Sequence, residues 1–454
     1  MDALLSIVQK ANAYLSDYIL IILLVGVGLL FTIRTRFVQV RCFGEGMKKV
    51  FGGIKLRGGK NASGLSSFQA LATAIAAQVG TGNIVGASGA ILVGGPGAIF
   101  WMWVIAFLGM ATIYAEAVLA QETKVTTDSG EVLGGPVYYI KKAFKGGFGK
   151  FLAVFFSVAT VLALGFMGTM VQSNSIAESC NTAFGIPTWV IGVILSVIAA
   201  FIFIGGIQRI ASVTEKLVPL MAVIFLLGSL VILAVNVKAI PDTFAMIFKY
   251  AFTPSAIIGG SVGMAIKTAI SQGAKRGLFS NEAGMGSTPH AHAQANVEKP
   301  HDQGVVAMIG VFIDTFVVLT MTALVVISTL YADGSTAWQE VTKTTAMQTA
   351  TSAVFGNFGN IFVAICLLFF AFSTVISWNF FGKVNVQYLF KNNKVATFIY
   401  SLIAIVFIFL GTLASNDLVW ELTDFFNYLM VLPNVLALIP LAGIVAKAAG
   451  VKKQ

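Results

Sequence analysis

In the middle of a long apolar segment the chain reads Ala76-Ala77-Gln78-Val79-Gly80-Thr81-Gly82-Asn83. A second apolar segment carries Ser271-Gln272-Gly273-Ala274-Lys275-Arg276-Gly277 at a corresponding place. The glycines in both stretches allow the backbone to leave helical geometry at low steric cost. Inside a membrane, an interrupted helix is tolerated only where protein, water, an ion or a substrate takes up the freed backbone hydrogen bonds. The two stretches therefore predict two discontinuous membrane helices with a binding site between them, which is the arrangement of a transporter.

Composition indicates an all-α polytopic membrane protein. Hydrophobic residues make up 57% of the 454 residues, and charged residues only 11%. The apolar residues fall into runs of about twenty, the length with which a helix crosses a bilayer. We predict about eleven transmembrane helices, at residues 14–33, 66–93, 97–121, 150–178, 187–206, 212–236, 256–290, 303–331, 357–381, 396–413 and 425–448.

The distribution of basic residues orients these helices in a cell membrane. With the N-terminus outside and the C-terminus in the cytoplasm, the cytoplasmic segments hold 24 of the 29 Lys and Arg residues. This asymmetry is the positive-inside pattern. The formal net charge of +10 therefore follows the cytoplasmic leaflet of the bilayer, and no nucleic-acid partner is needed to explain it.

The cysteines and histidines show no spacing typical of a metal site or a disulfide framework. The three cysteines lie in separate segments and are expected to be packing residues; they are Cys42, Cys180 and Cys366. The three histidines fall in one cytoplasmic connection, where we favour a solvated loop over a metal site; they are His290, His292 and His301.

Helix counting predicts the domain organisation. Residues 1–60 contain an extra first helix and a basic cytoplasmic segment, residues 61–240 a first set of five helices, and residues 241–454 a second set with the C-terminal tail. Because five is odd, the second set must enter the membrane from the opposite side. The result is a 5+5 inverted repeat in which each half begins with an interrupted helix.

The residues at the first interruption suit a cation and a zwitterion. Carbonyl groups at the end of one half-helix favour a cation, and N–H groups at the start of the next favour a carboxylate. Short polar side chains add further ligands. The predicted substrate ligands here are Gln78, Gly80, Thr81, Gly82 and Asn83. For the glycines between residues 86 and 97, close helix packing is the preferred interpretation.

The second interruption carries a comparable group of predicted substrate ligands, namely Thr268, Ser271, Gln272 and Gly273. We expect Lys275 and Arg276 on its cytoplasmic side. Lys267 lies well inside the same helix, where its ammonium either faces a watery cavity or extends to the membrane surface. Glu116 and Asp314 are further carboxylates in or near the membrane, and they are candidates for proton coupling or for gate contacts.

Two other classes of membrane protein fit the sequence less well. An ion channel would be expected to show a repeated filter sequence or a ring-forming charge pattern, and we find neither. An intramembrane enzyme would need a nucleophile with a base, or a metal cluster, within the spans. We therefore expect a transporter that works by alternating access and is not an enzyme.

Two motifs make the chain resemble a known family. The run Gly94-Gly95-Pro96-Gly97-Ala98-Ile99-Phe100-Trp101-Met102-Trp103, ending at Gly109, is similar to the signature of the alanine or glycine:cation symporter family. The run Arg276-Gly277-Leu278-Phe279-Ser280-Asn281-Glu282-Ala283-Gly284-Met285-Gly286-Ser287 resembles that family's seventh-span motif. Membership implies a LeuT-type fold and import of alanine or glycine. The coupling ion that the resemblance implies is sodium, with a proton as the alternative.

The resemblance also implies roles for individual residues. The backbone amides of Thr81 and Gly82 would hold the substrate carboxylate. A sodium ion would lie between the first and eighth helices of the 5+5 core; its implied ligands are the carbonyls of Ala76 and Val79, with Thr374 and Ser373. The choice between the two hydroxyls stays open, because either can instead bond a carbonyl one turn earlier in its own helix.

Side chains that fill space around the substrate would select its size. Phe166 and Met167 on the fourth span and Ile376 and Trp378 on the ninth are candidates for lining the cavity. Large neighbours would leave room for a methyl group or a hydrogen and would clash with branched substrates.

Overall fold

The computed structural model describes residues 2–52, 65–127, 130–204, 206–253, 262–332 and 335–451. Nearly all of them are helical. A helix is present at each position where the sequence predicts a span, which confirms an all-α polytopic membrane protein. Two short strands, β1 (Val125–Thr126) and β2 (Val132–Leu133), form an antiparallel ladder in a connection.

The helices are numbered in chain order. The first eleven are α1 (Leu5–Arg34), α2 (Val38–Arg41), α3 (Phe43–Gly52), α4 (Ser67–Gln78), α5 (Gly82–Gly94), α6 (Ala98–Thr123), α7 (Pro136–Ala143), α8 (Gly146–Phe184), α9 (Thr188–Ile204), α10 (Gly206–Val235) and α11 (Ile240–Phe252). The others are α12 (Val262–Asn281), α13 (Pro289–His292), α14 (Pro300–Leu330), α15 (Ala346–Phe355), α16 (Asn357–Leu389), α17 (Lys394–Gly411), α18 (Asn416–Leu438) and α19 (Ala442–Ala448).

Length and composition allow many of these helices to cross a membrane. Among the described residues, seven helices are long and apolar enough, and two bent pairs, α4 with α5 and α18 with α19, raise the number to as many as nine. The apolar helix Thr188–Phe203 is shorter. Large apolar side chains such as Leu230, Phe398 and Val406 point outward, as expected for a surface that meets lipid.

The first predicted interruption is confirmed. α4 begins at a capping box, in which Ser66 and Gln69 exchange hydrogen bonds of 3.1 Å between side chain and backbone N–H. The helix ends at Gln78, Val79 has φ −79° and ψ 88°, and α5 continues from Gly82 at an angle of 46°. The chain is buried throughout residues 70–91, so the interruption lies inside the helix bundle.

The second interruption lies further along the chain than the sequence predicts. α12 runs without a break through residues 271–277, so the interruption expected there is wrong. Helical structure ends instead at Asn281, and Glu282, Gly284 and Gly286 have φ values of +59°, +90° and +80° before α13 begins at Pro289. Gly273 serves packing: a Cβ at this residue would lie 2.6 Å from Cβ of Trp101, because α12 and α6 approach closely there.

Candidate functional site

A side chain from α8 binds the first interruption. The side-chain oxygen of Gln172 accepts hydrogen bonds from the backbone N–H of Thr81, at 3.0 Å, and from its hydroxyl. The N–H of Gly80 donates to Oδ1 of Asn83 at 2.9 Å. Side chains thus take up N–H groups that the interrupted helix leaves free. Glycine is required at residue 80, since a Cβ there would lie 2.4 Å from Oγ1 of Thr374.

Two hydroxyls of α16 face the carbonyl end of α4. Oγ1 of Thr374 lies 2.9 Å from the carbonyl oxygen of Ala76 and 3.2 Å from that of Ala77, and Oγ of Ser373 lies 3.3 Å from the oxygen of Ala76. Both hydroxyls also reach the carbonyl of Phe370 one turn earlier, at 3.1 Å from Thr374 and 2.8 Å from Ser373. Each hydroxyl therefore contacts both α4 and a carbonyl of its own helix, and Thr374 makes the shorter contact with α4.

Three of the four implied cation ligands are therefore adjacent, namely Ala76, Ser373 and Thr374. The carbonyl of Ala77 joins them, although the sequence argument did not include it. Val79 lies in the turn directly after α4 and is 1% exposed. Hydroxyl and carbonyl oxygens are the ligand type that hard cations prefer.

Asp314 on α14 connects the two interruptions. Its carboxylate accepts hydrogen bonds from Nδ2 of Asn83 at 2.6 Å, from Oγ of Ser280 at 2.9 Å and from the hydroxyl of Thr315 at 2.8 Å. All four side chains are fully buried, and a buried carboxylate needs such partners. Asp314 belongs to a π-helical segment, Phe312–Leu319, a local widening that often accompanies functional sites.

Gln78 also reaches from the first interruption to the second. Its Nε2 donates to the carbonyl of Asn281 at 2.7 Å, at the end of α12. Its Oε1 is buried and has no hydrogen-bond partner among the described residues. A buried acceptor of this kind is costly unless a ligand or water supplies a donor.

Glu282 and Glu116 hold the non-helical segment after α12. Glu282 is fully buried and accepts hydrogen bonds from Nε1 of Trp378, at 2.6 Å, and from the hydroxyl of Ser287. Glu116 accepts from the N–H of Gly284 at 3.1 Å and from Nδ2 of Asn434 at 2.6 Å. Glu116 thus binds the backbone of this segment and an amide on α18.

Aromatic and charged side chains pack around the last turns of α12. The ring of Phe279 meets those of Trp378 and Trp420, with centroids at 5.9 Å and 4.7 Å. The Arg276 guanidinium lies over the Trp420 ring at 4.6 Å and makes two hydrogen bonds, of 2.9 Å and 3.3 Å, to the Asp424 carboxylate. We expected Lys275 and Arg276 to follow the second interruption, on its cytoplasmic side. They precede it instead, because α12 continues to Asn281.

Four of the predicted substrate ligands lie away from the interruption, because α12 is continuous around them. The Ser271 hydroxyl donates to Asp17 of α1 at 2.6 Å, and the Thr268 hydroxyl bonds the carbonyl of Met264 in its own helix. Gln272 packs with its Cβ near Gly94, and Gly273 contacts α6. Lys267 is paired with Asp17 at 3.2 Å and half-exposed, at 46% of its side chain.

The predicted cavity-lining residues divide into two groups. Trp378 and Ile376 are buried, at 1% and 0% exposure, and Trp378 contacts Phe279 and Glu282 near the second interruption. Phe166 stacks instead on Phe407 of α17, with centroids 4.9 Å apart, and packs in the outer helices.

Several residues that meet at the two interruptions are not among the predicted site residues. They are Gln172, Phe279, Ser280, Asn281 and Glu282. A polar amide in an apolar span could have indicated Gln172, since such residues are rare in lipid. The other four lie within the family-like motif of residues 276–287, next to the positive-φ residues at which α12 ends.

The solvated loop expected for the histidines is wrong for two of them. His290 and His292 are 0% and 1% exposed. The ring of His290 is bonded by Asn385 at 2.9 Å and that of His292 by Gln303 at 2.9 Å. The three cysteines are buried and are free thiols.

Comparison with known proteins agrees with this architecture. The model of the sodium:alanine symporter family matches residues 1–451. The sodium/alanine symporter AgcS of Methanococcus maripaludis is 40% identical over 443 residues, covering 97% of this chain and 95% of that protein. The putative sodium/proton-dependent alanine carrier protein YrbD of Bacillus subtilis is 42% identical over 447 residues, covering 96% and 90%.

Solved structures support the fold. The crystal structure of MhsT in complex with L-phenylalanine matches with a TM-score of 0.58 at 14% identity, covering 86% of this chain and 99% of that one. This likeness confirms the LeuT-type architecture that the sequence motifs imply. The chain therefore belongs to the sodium:alanine symporter family, a family of secondary symporters and not of enzymes.

Proposed function

We propose that the protein imports small neutral amino acids, alanine and glycine, together with sodium. The observation that carries this proposal is the convergence of the Thr374 and Ser373 hydroxyls on the carbonyls that end α4, a few residues before the amide and hydroxyl of Thr81. Oxygen ligands for a cation and N–H donors for a carboxylate thus lie at one interruption. The name of AgcS mentions sodium and alanine and supports the same assignment, and that of YrbD mentions alanine with both sodium and proton.

The substrate carboxylate would bind to the N–H groups of Thr81 and Gly82, at the start of α5. In the structure, the Gln172 oxygen accepts from both donors of Thr81, the arrangement that a carboxylate oxygen would adopt. The substrate ammonium would donate to Oε1 of Gln78. Trp378 and Phe279 would bound the space for the substrate side chain and exclude branched amino acids.

Sodium would couple to the substrate by thermodynamic linkage. An ion between Ala76, Ser373 and Thr374 stabilises the end of α4, and the end of α4 is connected to Thr81 through only a few residues. Each ligand then raises the affinity of the protein for the other. Alternating access would follow from movement of α4, α5, α6, α12 and α14 against the remaining helices, with the N-terminus outside the cell membrane.

The alternative is that a proton drives transport, and the buried carboxylates near the interruptions support this alternative. Three carboxylates, Glu116, Glu282 and Asp314, are fully buried around the two interruptions. A buried carboxylate is a common carrier of a transported proton.

Counterflow into proteoliposomes tests the proposal. Labelled alanine would be the reporter, sodium and pH gradients would be imposed separately, and unlabelled amino acids would compete. We expect accumulation with a sodium gradient alone, and competition by glycine but not by leucine. Accumulation with a pH gradient alone would overturn sodium coupling, and ion flux without alanine would favour a channel.

A further inference from the structure

Three side chains of metal-ligating types meet outside the group of residues proposed to bind substrate and sodium. Sγ of Cys42, a carboxylate oxygen of Glu45 and a ring nitrogen of His301 all lie within 4.8 Å of one another. Cys42 directly follows α2, Glu45 is in the first turn of α3, and His301 is in the first turn of α14. The fold thus joins a Cys-x-x-Glu pair to a histidine more than 250 residues later in the sequence.

The imidazole of His301 is already oriented. The hydroxyl of Tyr114, a fully buried residue on α6, lies 2.7 Å from Nδ1. The other ring nitrogen, Nε2, lies 3.3 Å from Oε2 of Glu45. Metal-binding histidines characteristically donate their other ring N–H to a neighbouring acceptor, and with Nε2 on an ion the Nδ1–H of His301 would donate to the Tyr114 hydroxyl.

The two other donors are available as well. Cys42 is a free thiol and 5% exposed. Glu45 is 43% exposed and lies 3.7 Å from the ammonium of Lys49, which makes a shorter pair of 3.1 Å with Asp302. Lys49 therefore keeps a partner when Glu45 turns toward an ion. The exposed side of Glu45 leaves an open direction for a water ligand.

The geometry points to a binding site for a divalent zinc-like ion formed by Cys42, Glu45 and His301, with water as the fourth ligand. Sulfur and imidazole nitrogen favour zinc over magnesium or calcium, which prefer oxygen ligands. Tetrahedral zinc has bonds of about 2.0–2.3 Å to such donors, so the three ligand atoms, which lie within 4.8 Å of one another, must draw closer around the ion. The Glu45 side chain is 43% exposed, so it can turn toward the ion, and the side chains of Cys42 and His301 must also adjust. Binding releases the Cys42 thiol proton to solvent.

The ion would link α3 to the start of α14, because Glu45 belongs to the first helix and His301 to the second. The two helices already touch, because Gly46 lies against α14 so closely that a Cβ there would be 2.8 Å from the carbonyl of Val305. The site is separate from the residues proposed to bind substrate. We therefore expect zinc to raise the thermal stability of the protein without being required for transport.

Zinc binding to the full-length protein in detergent tests the assignment. Competition with a chromophoric chelator should give one tightly bound zinc per chain. Cys42→Ser and His301→Gln should each weaken zinc binding by at least about tenfold. Cys180→Ser and Cys366→Ser, which remove buried thiols elsewhere, are the matched controls and should leave the affinity unchanged.

Two further readouts separate ligand loss from misfolding. Cobalt in place of zinc should show a thiolate charge-transfer band in the wild-type protein and none in Cys42→Ser. Melting temperatures measured with a chelator present should be the same in the variants as in the wild type, and added zinc should raise only the wild-type and control values. The assignment is overturned if Cys42→Ser or His301→Gln binds zinc as tightly as the wild type, or if the wild type binds none.

Discussion

The Gln172 side-chain oxygen accepts hydrogen bonds from both the N–H and the hydroxyl of Thr81, a residue 91 positions earlier in the chain. Through these hydrogen bonds, α8 is attached to the first interruption at an N–H group that the broken helix leaves unpaired. We have proposed that a substrate carboxylate uses the same donors, so Gln172 lies beside the bound carboxylate.

The Gln172→Glu substitution tests this position. The variant keeps the size and acceptor atoms of the side chain but adds a negative charge beside the proposed carboxylate. We expect the apparent affinity for alanine to fall by about tenfold or more, equivalent to about 1.4 kcal/mol. Gln172→Met, which is of similar size and neutral, should have a smaller effect. Equal alanine affinity in wild type and Gln172→Glu, measured by uptake, would place the carboxylate elsewhere.

Thr374→Ala addresses the ion. Loss of the hydroxyl that lies 2.9 Å from the Ala76 carbonyl should raise the sodium concentration needed for half-maximal uptake. The order in which amino acids compete should not change. Ser373→Ala should have the weaker effect, because that hydroxyl lies closer to Phe370 of its own helix, at 2.8 Å. Unchanged sodium dependence in Thr374→Ala would remove this residue from the ion site.

Gly80→Ala should abolish uptake. The added Cβ would lie 2.4 Å from Oγ1 of Thr374 and 3.2 Å from the Gln172 oxygen, and both neighbours belong to the proposed binding group. Gly44→Ala is the control, because no atom lies within 4 Å of a Cβ there. Uptake and melting temperature would be measured for both variants. Normal uptake by Gly80→Ala would show that α16 and α8 do not need to approach so closely.

Glycine substitutions also test where the second interruption lies. Gly277 is inside α12, and a Cβ there would meet its nearest neighbour at an ordinary 3.6 Å. Gly277→Ala should therefore be neutral or stabilise by up to about 1 kcal/mol. Gly284→Ala should destabilise by about 1 kcal/mol or more, because φ is +90° at this residue. The opposite order of melting temperatures would favour an interruption at residues 271–277.

Much of the architecture follows from local features of the sequence. The apolar runs predict the helix positions, because hydrophobic length alone determines which segments can cross a bilayer. The first interruption is also predictable, since Gly80 and Gly82 are accompanied by polar side chains. The second was misplaced, because glycine serves close helix packing as well as interruption, and Gly273 does the former.

The sequence by itself determined the class of protein, the helix order and the first interruption, and the family resemblance implied that a hydroxyl of residue 373 or 374 lies near the end of α4. Only the tertiary structure decided that Gln172, Asp314 and Glu282 meet these segments, and that Cys42 and Glu45 meet His301. The reason is physical. Helix positions depend on neighbouring residues in the chain, whereas each of these contacts joins side chains from different helices, and their distance depends on how the helices pack.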